Sequence, residues 1–256
     1  MKVLISSGSN QFRLIPLASE LCKYKKFDIN IFTSAYPKNY EIKLIKYLNF
    51  FKLRIIDRFA ERKEKIDNKK VYDYRLFELL LKLVFKLDPK FKKNQKLQNY
   101  LGNLAFNKYS EKIKIHIRKI RPKIYHYRCA YGLNSVNYSK KYADIQICDH
   151  SIAHPLFLYK QIYSEDKCIN PLEIPKEEIF NLKKLPFLLR LMYTDLHTAE
   201  NIVVNSDFVK KTLIHYGIPS SIIKVIYCGS DEKFLSYNTK FSRERKPKNH
   251  LIYAGI

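Results

Sequence analysis

Glycine is scarce in this chain, with six in 256 residues, and only Gly8 follows an early apolar run. A Gly-x-Gly-x-x-Gly turn, which lets backbone N–H groups wrap a pyrophosphate, is therefore absent, and a nicotinamide cofactor is not expected. The five cysteines, Cys22, Cys129, Cys148, Cys168 and Cys228, are odd in number, scattered, and without a Cys-x-x-Cys pair. That pattern argues against a disulfide framework or a zinc site and fits a reducing cytoplasm. No charge-free apolar run reaches the ~18 residues needed to span a bilayer. The N-terminal MKVLISSGSN meets its glycine too early for a signal peptide. There is neither an internal repeat nor a low-complexity linker, so solenoid and disordered classes fall away.

What is present is a foldable composition, 46% hydrophobic and 28% charged, with 48 Lys+Arg against 24 Asp+Glu and a net charge of +24. A field of that sign attracts phosphate-bearing partners: nucleic acid, anionic lipid or nucleotide-linked substrates. The richness in Lys, Asn, Ile and Tyr together with the absence of Trp also reads as biased base composition, which accounts for part of the excess. Residues 41–123 hold 24 basic and 9 acidic residues, a net of +15. YEIKLIKYLNFFKLRIIDRF and YRLFELLLKLVFKL there alternate bulky apolar residues with Lys and Arg, as amphipathic helices do. Two roles stay open for them: covering one face of a sheet with lysines in solvent, or resting on anionic lipid through 41–96. Nucleic-acid binding is not expected, because no recognition motif accompanies the charge.

The rest of the chain alternates strands and helices. Lys2–Ser7 reads as a buried strand, and Ser6-Ser7-Gly8-Ser9-Asn10 turns into a helix carrying Leu14, Ile15, Leu17, Ala18 and Leu21, with Pro16 tolerated in its first turn. Asp28–Thr33, Lys123–Arg128 and Ile145–Cys148 read as further strands, 132–142 as a crossover helix, and the stretch between Pro155 and Pro186 as loop. Pro186 opens a helix with Leu188, Leu189, Met192, Leu196 and Ala199 as its buried stripe. This order predicts an α/β, Rossmann-like, doubly wound, mostly parallel sheet with a basic helical insertion over 41–121.

The most telling stretch is His197–Leu235. Ile202-Val203-Val204 is a short β-branched run, Ser206 and Asp207 supply helix-capping oxygens, Gly217 closes the helix, and Pro219 stops it. Ile222–Tyr227 leads into Cys228-Gly229-Ser230-Asp231, a turn of the kind where open α/β sheets bind ligands. The ordered set Ala199, Ile202, Val203, Val204, Ser206, Val209, Lys210, Leu213, Gly217, Ile218, Pro219, Lys224, Val225, Ile226, Gly229, Asp231 and Phe234 resembles the end of the N-terminal domain of GT-B-fold, family 4 retaining glycosyltransferases. Glu200 and Ser230 replace that pattern's usual Asp and Val. Arg121, Pro122, Ile124 and His126 are similar to the family's Arg-Pro-Asp-Ile-Val-His step, and Asn10, Phe12, Arg13 and Pro16 to its first turn.

The resemblance implies a sugar transferase working from a nucleotide-sugar donor to a glycan or lipid-linked acceptor, with no metal or other cofactor. Asp149, His150, Ser151 and His154 form the most polar cluster, at the end of a central strand. The resemblance implies that His150 or His154 meets a sugar hydroxyl or the transferring centre while Asp149 orients a histidine. Gly8, Ser9, Asn10, Arg13, Ser206, Gly229 and Asp231 complete the expected substrate-binding set. A metal on His150 and His154, at helical i,i+4 spacing, is disfavoured because no glutamate follows His150. Residues 1–236 are expected to form the acceptor-side domain, and 237–256 a linker and the first strand, HLIYAGI, of a second domain. The resemblance places the family's diphosphate-binding lysine and Glu-x7-Glu pair in the second domain, of which only the first strand is expected within 1–256, so an inactive half is expected. The expected location is the cytoplasm, at the inner membrane face if 41–96 takes the second of its two open roles and rests on lipid. Two alternatives remain: a GT-B nucleotide-sugar epimerase, and a non-catalytic basic module binding anionic membrane or nucleic acid.

Overall fold

In the computed structural model the described residues are 1–9, 13–48, 59, 62–64, 66–86, 92–163, 182 and 185–227. All of them but Tyr227 belong to one unit, Met1–Ile226. Among the described residues seven strands run in chain order: β1 (Lys2–Gly8), β2 (Asp28–Thr33), β3 (Val71–Asp73), β4 (Ile124–Arg128), β5 (Ile145–His150), β6 (Ile202–Val204) and β7 (Ile223–Val225). They lie side by side in the order β3-β2-β1-β4-β5-β6-β7, and every pair is parallel. Between them run α1 (Leu14–Leu21), α2 (Asn39–Leu48), α3 (Arg75–Lys86), α4 (Lys92–Ile120), α5 (Asn134–Ser139), α6 (Pro155–Tyr163), α7 (Phe187–Thr198) and α8 (Asp207–His215). The fold is a Rossmann-like α/β sheet whose strand order reverses between β1 and β4, the place where such sheets open a crevice.

Val3-Leu4-Ile5 is apolar without alternation because both faces of β1 are covered. Leu4 packs with Tyr125, Tyr127, Cys148, Ile202 and Val204 under α3, α4, α7 and α8. Val3 and Ile5 pack with Ile29 and Ile31 under α1, through Leu14, Ile15 and Ala18. On the first face Phe77, Phe106, Tyr109 and Tyr131 meet edge-on or tilted, with centroids 4.5 to 5.9 Å apart. Aromatic rings prefer these arrangements over face-to-face stacking.

The basic region 41–121 is woven into the sheet rather than inserted beside it, because Val71–Asp73 pairs with β2 as its edge strand. Three residues next to Lys69 and Lys70 are too short a run to read as a strand from pattern alone. The 155–186 stretch, expected to be loop, contains α6, while 164–181 lie outside the described residues. In α7 the buried stripe is Phe187, Leu191, Asp195 and Leu196, rotated from the expected one to bring a carboxylate inward. The α8 boundaries follow expectation. Ser206 Oγ accepts the Val209 N–H at 3.3 Å, and Gly217 takes φ 89° at the helix end.

Candidate functional site

Parallel register puts Ser6, Tyr127 and Cys148 level across β1, β4 and β5. Gly8 and His150, each two residues further on, therefore share the carboxyl-end rim at the switch point. They stand two strands, roughly 10 Å, apart.

β5 runs to His150, two residues beyond the expected Cys148, and that extension decides where the polar cluster points. Side chains alternate along a strand, so Asp149 and His150 face opposite sides of the sheet. Asp149, 1% exposed, does not orient His150. Arg13 Nε donates to its Oδ2 at 2.9 Å and Arg128 Nη1 to its Oδ1 at 2.7 Å. Arg128 Nη2 also donates to Ser151 Oγ at 2.7 Å, and Arg13 Nη1 reaches the Ile226 carbonyl at 3.5 Å. His126 Nε2 lies 3.8 Å from Asp149 Oδ2 and has no hydrogen-bond partner among the described residues. Burial outweighs the carboxylate and lowers the His126 pKa to about 4, so the imidazole is neutral at neutral pH. The site thus holds two guanidinium groups on one carboxylate, a net positive spot able to receive an anionic oxygen. Arg13 is its more accessible member, with a side chain 23% exposed against 7% for Arg128.

His150 and His154 sit inside. His150 is 1% exposed, its Nε2 3.4 Å from the Ala153 carbonyl. It ends a strand, so the helical His150–His154 geometry considered for a metal does not form. His154 is fully buried before Pro155. Its Nδ1 accepts the Leu156 N–H at 3.2 Å, its Nε2 lies 3.4 Å from His197 Nε2, and its ring stacks on Tyr216 at 4.5 Å. Burial, helped by the neighbouring histidines, pushes its pKa down to about 2. Both of its nitrogens are engaged in holding α6 against α7.

On the other side of the switch point Gly8 has φ 77°, and a Cβ on it would come within 2.5 Å of the Tyr131 ring. Its N–H donates to the buried Tyr109 hydroxyl at 3.1 Å. Ser9 Oγ is 2.8 Å from Tyr131 Oη. Ser34 Oγ lies within reach of the Ser9 carbonyl, at 3.2 Å, and of Glu78 Oε2, at 3.0 Å. Arg62 Nη1 donates to both Glu78 oxygens, at 3.0 and 2.8 Å. Burial works against the charge on Glu78, but Arg62 and Ser34 hold its carboxyl below the ordinary value.

The loop after β4 is also pinned. Ala130 and Leu133 take positive φ, at 79° and 44°. Asp195 Oδ2 and Oδ1 accept the Gly132 and Leu133 N–H groups, each at 2.8 Å. Burial pushes the Asp195 pKa up to about 8 against these donors.

Of the expected site residues, the fold gathers Gly8, Ser9, Arg13, Asp149, His150 and Ser151 at one rim. Ser206 is used as the α8 cap, and Asn10, Gly229 and Asp231 lie outside the described residues. Sequence reading missed Arg128, Glu78, Arg62 and Asp195. A charge ending the apolar run Ile124–Arg128 was the available signal for Arg128. Glu78 looked like one more polar position of an amphipathic helix. Among the described residues no group of three or more His, Cys, Asp or Glu side chains is placed to hold a metal ion, and no helix is long and apolar enough to cross a membrane.

Neither a protein-family model nor a curated protein matches the chain. The chain is similar to several solved structures. One is a UDP-GlcNAc 2-epimerase from Neisseria meningitidis bound to UDP-GlcNAc (TM-score 0.44, 13% identity, 88% of this chain and 45% of that one). Another is the lipopolysaccharide outer core galactosyltransferase WaaB (0.42, 13%, 89% and 45%). A third is a glycosyltransferase from Rickettsia africae (0.40, 12%, 95% and 46%). The chain spans about half the length of each of these proteins.

Proposed function

We propose that the chain forms the acceptor-side lobe of a GT-B, family 4-like glycosyltransferase, which moves a sugar from a nucleotide-sugar donor to a glycan or lipid-linked acceptor. The observation that carries this reading is the Arg13–Asp149–Arg128 array at the switch point, joined to the family-like pattern over 199–234. In this reading Arg13 receives an anionic group of the acceptor. Asp149 is a positioning residue that holds the two guanidinium planes in place, and Ser151 offers its hydroxyl beside Arg128. His150 shapes the rim from beneath. The donor and its diphosphate would be gripped by a second lobe, which aligns the acceptor hydroxyl with the anomeric carbon across the cleft.

The test is ligand-observed NMR of the chain with neutral glycans, phosphorylated glycans and short-chain prenyl-diphosphate sugars, run on wild type and Arg13→Met. Saturation transfer to an anionic acceptor that disappears in Arg13→Met supports the reading. Absence of transfer to every acceptor refutes it. Conversion of a UDP-sugar to an epimer or to free UDP without any acceptor would replace it with the epimerase reading.

A further inference from the structure

The buried ring of His154 has room for its proton on one nitrogen only. The residue immediately precedes Pro155, where α6 begins, and its Nδ1 caps that helix by accepting the Leu156 N–H at 3.2 Å. Its own backbone N–H is fixed on Thr212 Oγ1 at 3.1 Å. The neutral imidazole therefore carries its proton on Nε2, which lies 3.4 Å from His197 Nε2. Facing nitrogens can share one proton but not two. With His154 as donor, His197 must be the acceptor, neutral and protonated on Nδ1. His154 is fully buried, whereas His197 is exposed in the last turn of α7, so His197 is the member that solvent protons reach. What burial it has lowers its pKa, and a donor on Nε2 opposes its charge further. The titratable groups around the pair are Tyr193 on α7, His150 at the end of β5, and His215 and Tyr216 at the end of α8. The carboxylates flanking His197 in sequence are held elsewhere, Asp195 on the Gly132 and Leu133 N–H groups and Glu200 on Lys140 at 2.6 Å.

We propose that His154 and His197 form a proton-operated clasp on the rim, closed while His197 is neutral and opened when His197 takes up a proton, which frees the start of α6. Once His197 Nε2 is protonated, two N–H groups point at each other across 3.4 Å. His154 cannot yield by moving its proton to Nδ1, because the Leu156 N–H already occupies that side. The exposed ring gives way instead. A charged His197 is drawn toward the carbonyls that end α7 and onto the Tyr193 ring, already 4.0 Å away. His154 is then left with a buried N–H and no acceptor, which loosens α6 against α7. The effect reaches the candidate site through Ser151–Pro155, since Ser151 Oγ is what Arg128 Nη2 donates to at 2.7 Å. The clasp is closed above the ordinary histidine value of about 6.5 and opens as pH falls below it. A metal ion between the two Nε2 atoms does not compete, because a neutral His154 with Nδ1 capping α6 keeps its proton on Nε2. The clasp needs neither donor nor acceptor sugar, so it stands apart from the sugar-transfer reading.

The experiment is NMR of the full nitrogen-labelled chain on either side of the ordinary histidine value, at about pH 7.5 and about pH 5, for wild type and His197→Gln. Long-range proton–nitrogen spectra read which ring nitrogen of His154 holds the proton. Hydrogen exchange of the Leu156 amide, expressed as a protection factor so that the intrinsic pH dependence of exchange is removed, reads the clasp. His197→Gln puts an amide oxygen where Nε2 stood and accepts the same N–H without titrating. His197 is exposed, so this variant keeps the fold, and the tautomer is read on wild type alone. Expected are a His154 proton on Nε2, a roughly tenfold fall in wild-type Leu156 protection at the lower pH, and no fall in His197→Gln. Three results overturn the proposal: a His154 proton on Nδ1, wild-type protection that is the same at both pH values, or a fall in His197→Gln as large as that of wild type.

Discussion

Asp149→Asn tests the physics of the rim most directly. The side chain is 2% exposed and bonded at 2.7 Å to Arg128, itself 7% exposed, and at 2.9 Å to Arg13, 23% exposed. Asparagine keeps the volume and one acceptor oxygen, so no cavity opens and the loss is electrostatic. Two guanidinium groups then face each other, one of them with almost no water to solvate it. Removing one partner of a buried pair costs about 3–5 kcal/mol, because the remaining charge is buried uncompensated. Arg13 adds little to that figure, since solvent screens it and it can swing outward. For a chain of this size the expected fall in Tm is roughly 6–20 °C. Urea unfolding followed by far-UV circular dichroism at neutral pH reads the difference, and the lack of tryptophan rules out indole fluorescence. Arg128→Met/Asp149→Leu, which removes the buried charges together, should recover most of the loss. A cost below about 1 kcal/mol for Asp149→Asn, or a double variant no better than the sum of its singles, would refute the argument that the array is a buried, mutually dependent unit.

Three further outcomes follow from particular contacts. Tyr109→Phe removes the hydroxyl that serves the Gly8 N–H at 3.1 Å, Ser6 Oγ at 3.2 Å and the Phe32 carbonyl at 3.3 Å. It should cost about 1–3 kcal/mol in denaturant melts by leaving that N–H unsatisfied. Gly8→Ala meets both a left-handed φ and the Tyr131 ring, so a loss of roughly 2–5 kcal/mol is expected in the same melts. His154 is held neutral in the fold, whereas in the unfolded chain it takes up a proton below about pH 6.5. Its contribution is therefore complete above that pH and is lost as pH falls toward its folded value of about 2. His154→Asn keeps an acceptor for the Leu156 N–H and should gain up to about 2.7 kcal/mol relative to wild type between pH 6.5 and 4.5. Taking the difference cancels the opposite drift from Asp195, whose raised pKa favours the fold as pH falls.

Much of the fold was legible because its cause is local. The β-branched run Ile202–Val204, the cap at Ser206 and the stop at Gly217-Ile218-Pro219 each act within a few residues, and the structure has them where the pattern puts them. Elements whose stability comes from distant partners were not legible. Val71–Asp73 is a strand only because β2 lies beside it. Asp195 can be buried only because the Gly132 and Leu133 N–H groups, more than sixty residues earlier in the chain, turn toward it. The same division holds at the candidate site. The sequence alone assembled the strand ends that carry Gly8, Arg13, Asp149, His150 and Ser151, since alternating strands and helices of this kind bring carboxyl ends to one rim. Tertiary structure decided which of them share a face. By extending β5 two residues it turned His150 inward, gave Asp149 to Arg13 and Arg128, and closed the Gly8 N–H against Tyr109, because side-chain direction in a sheet depends on register and on what packs above it.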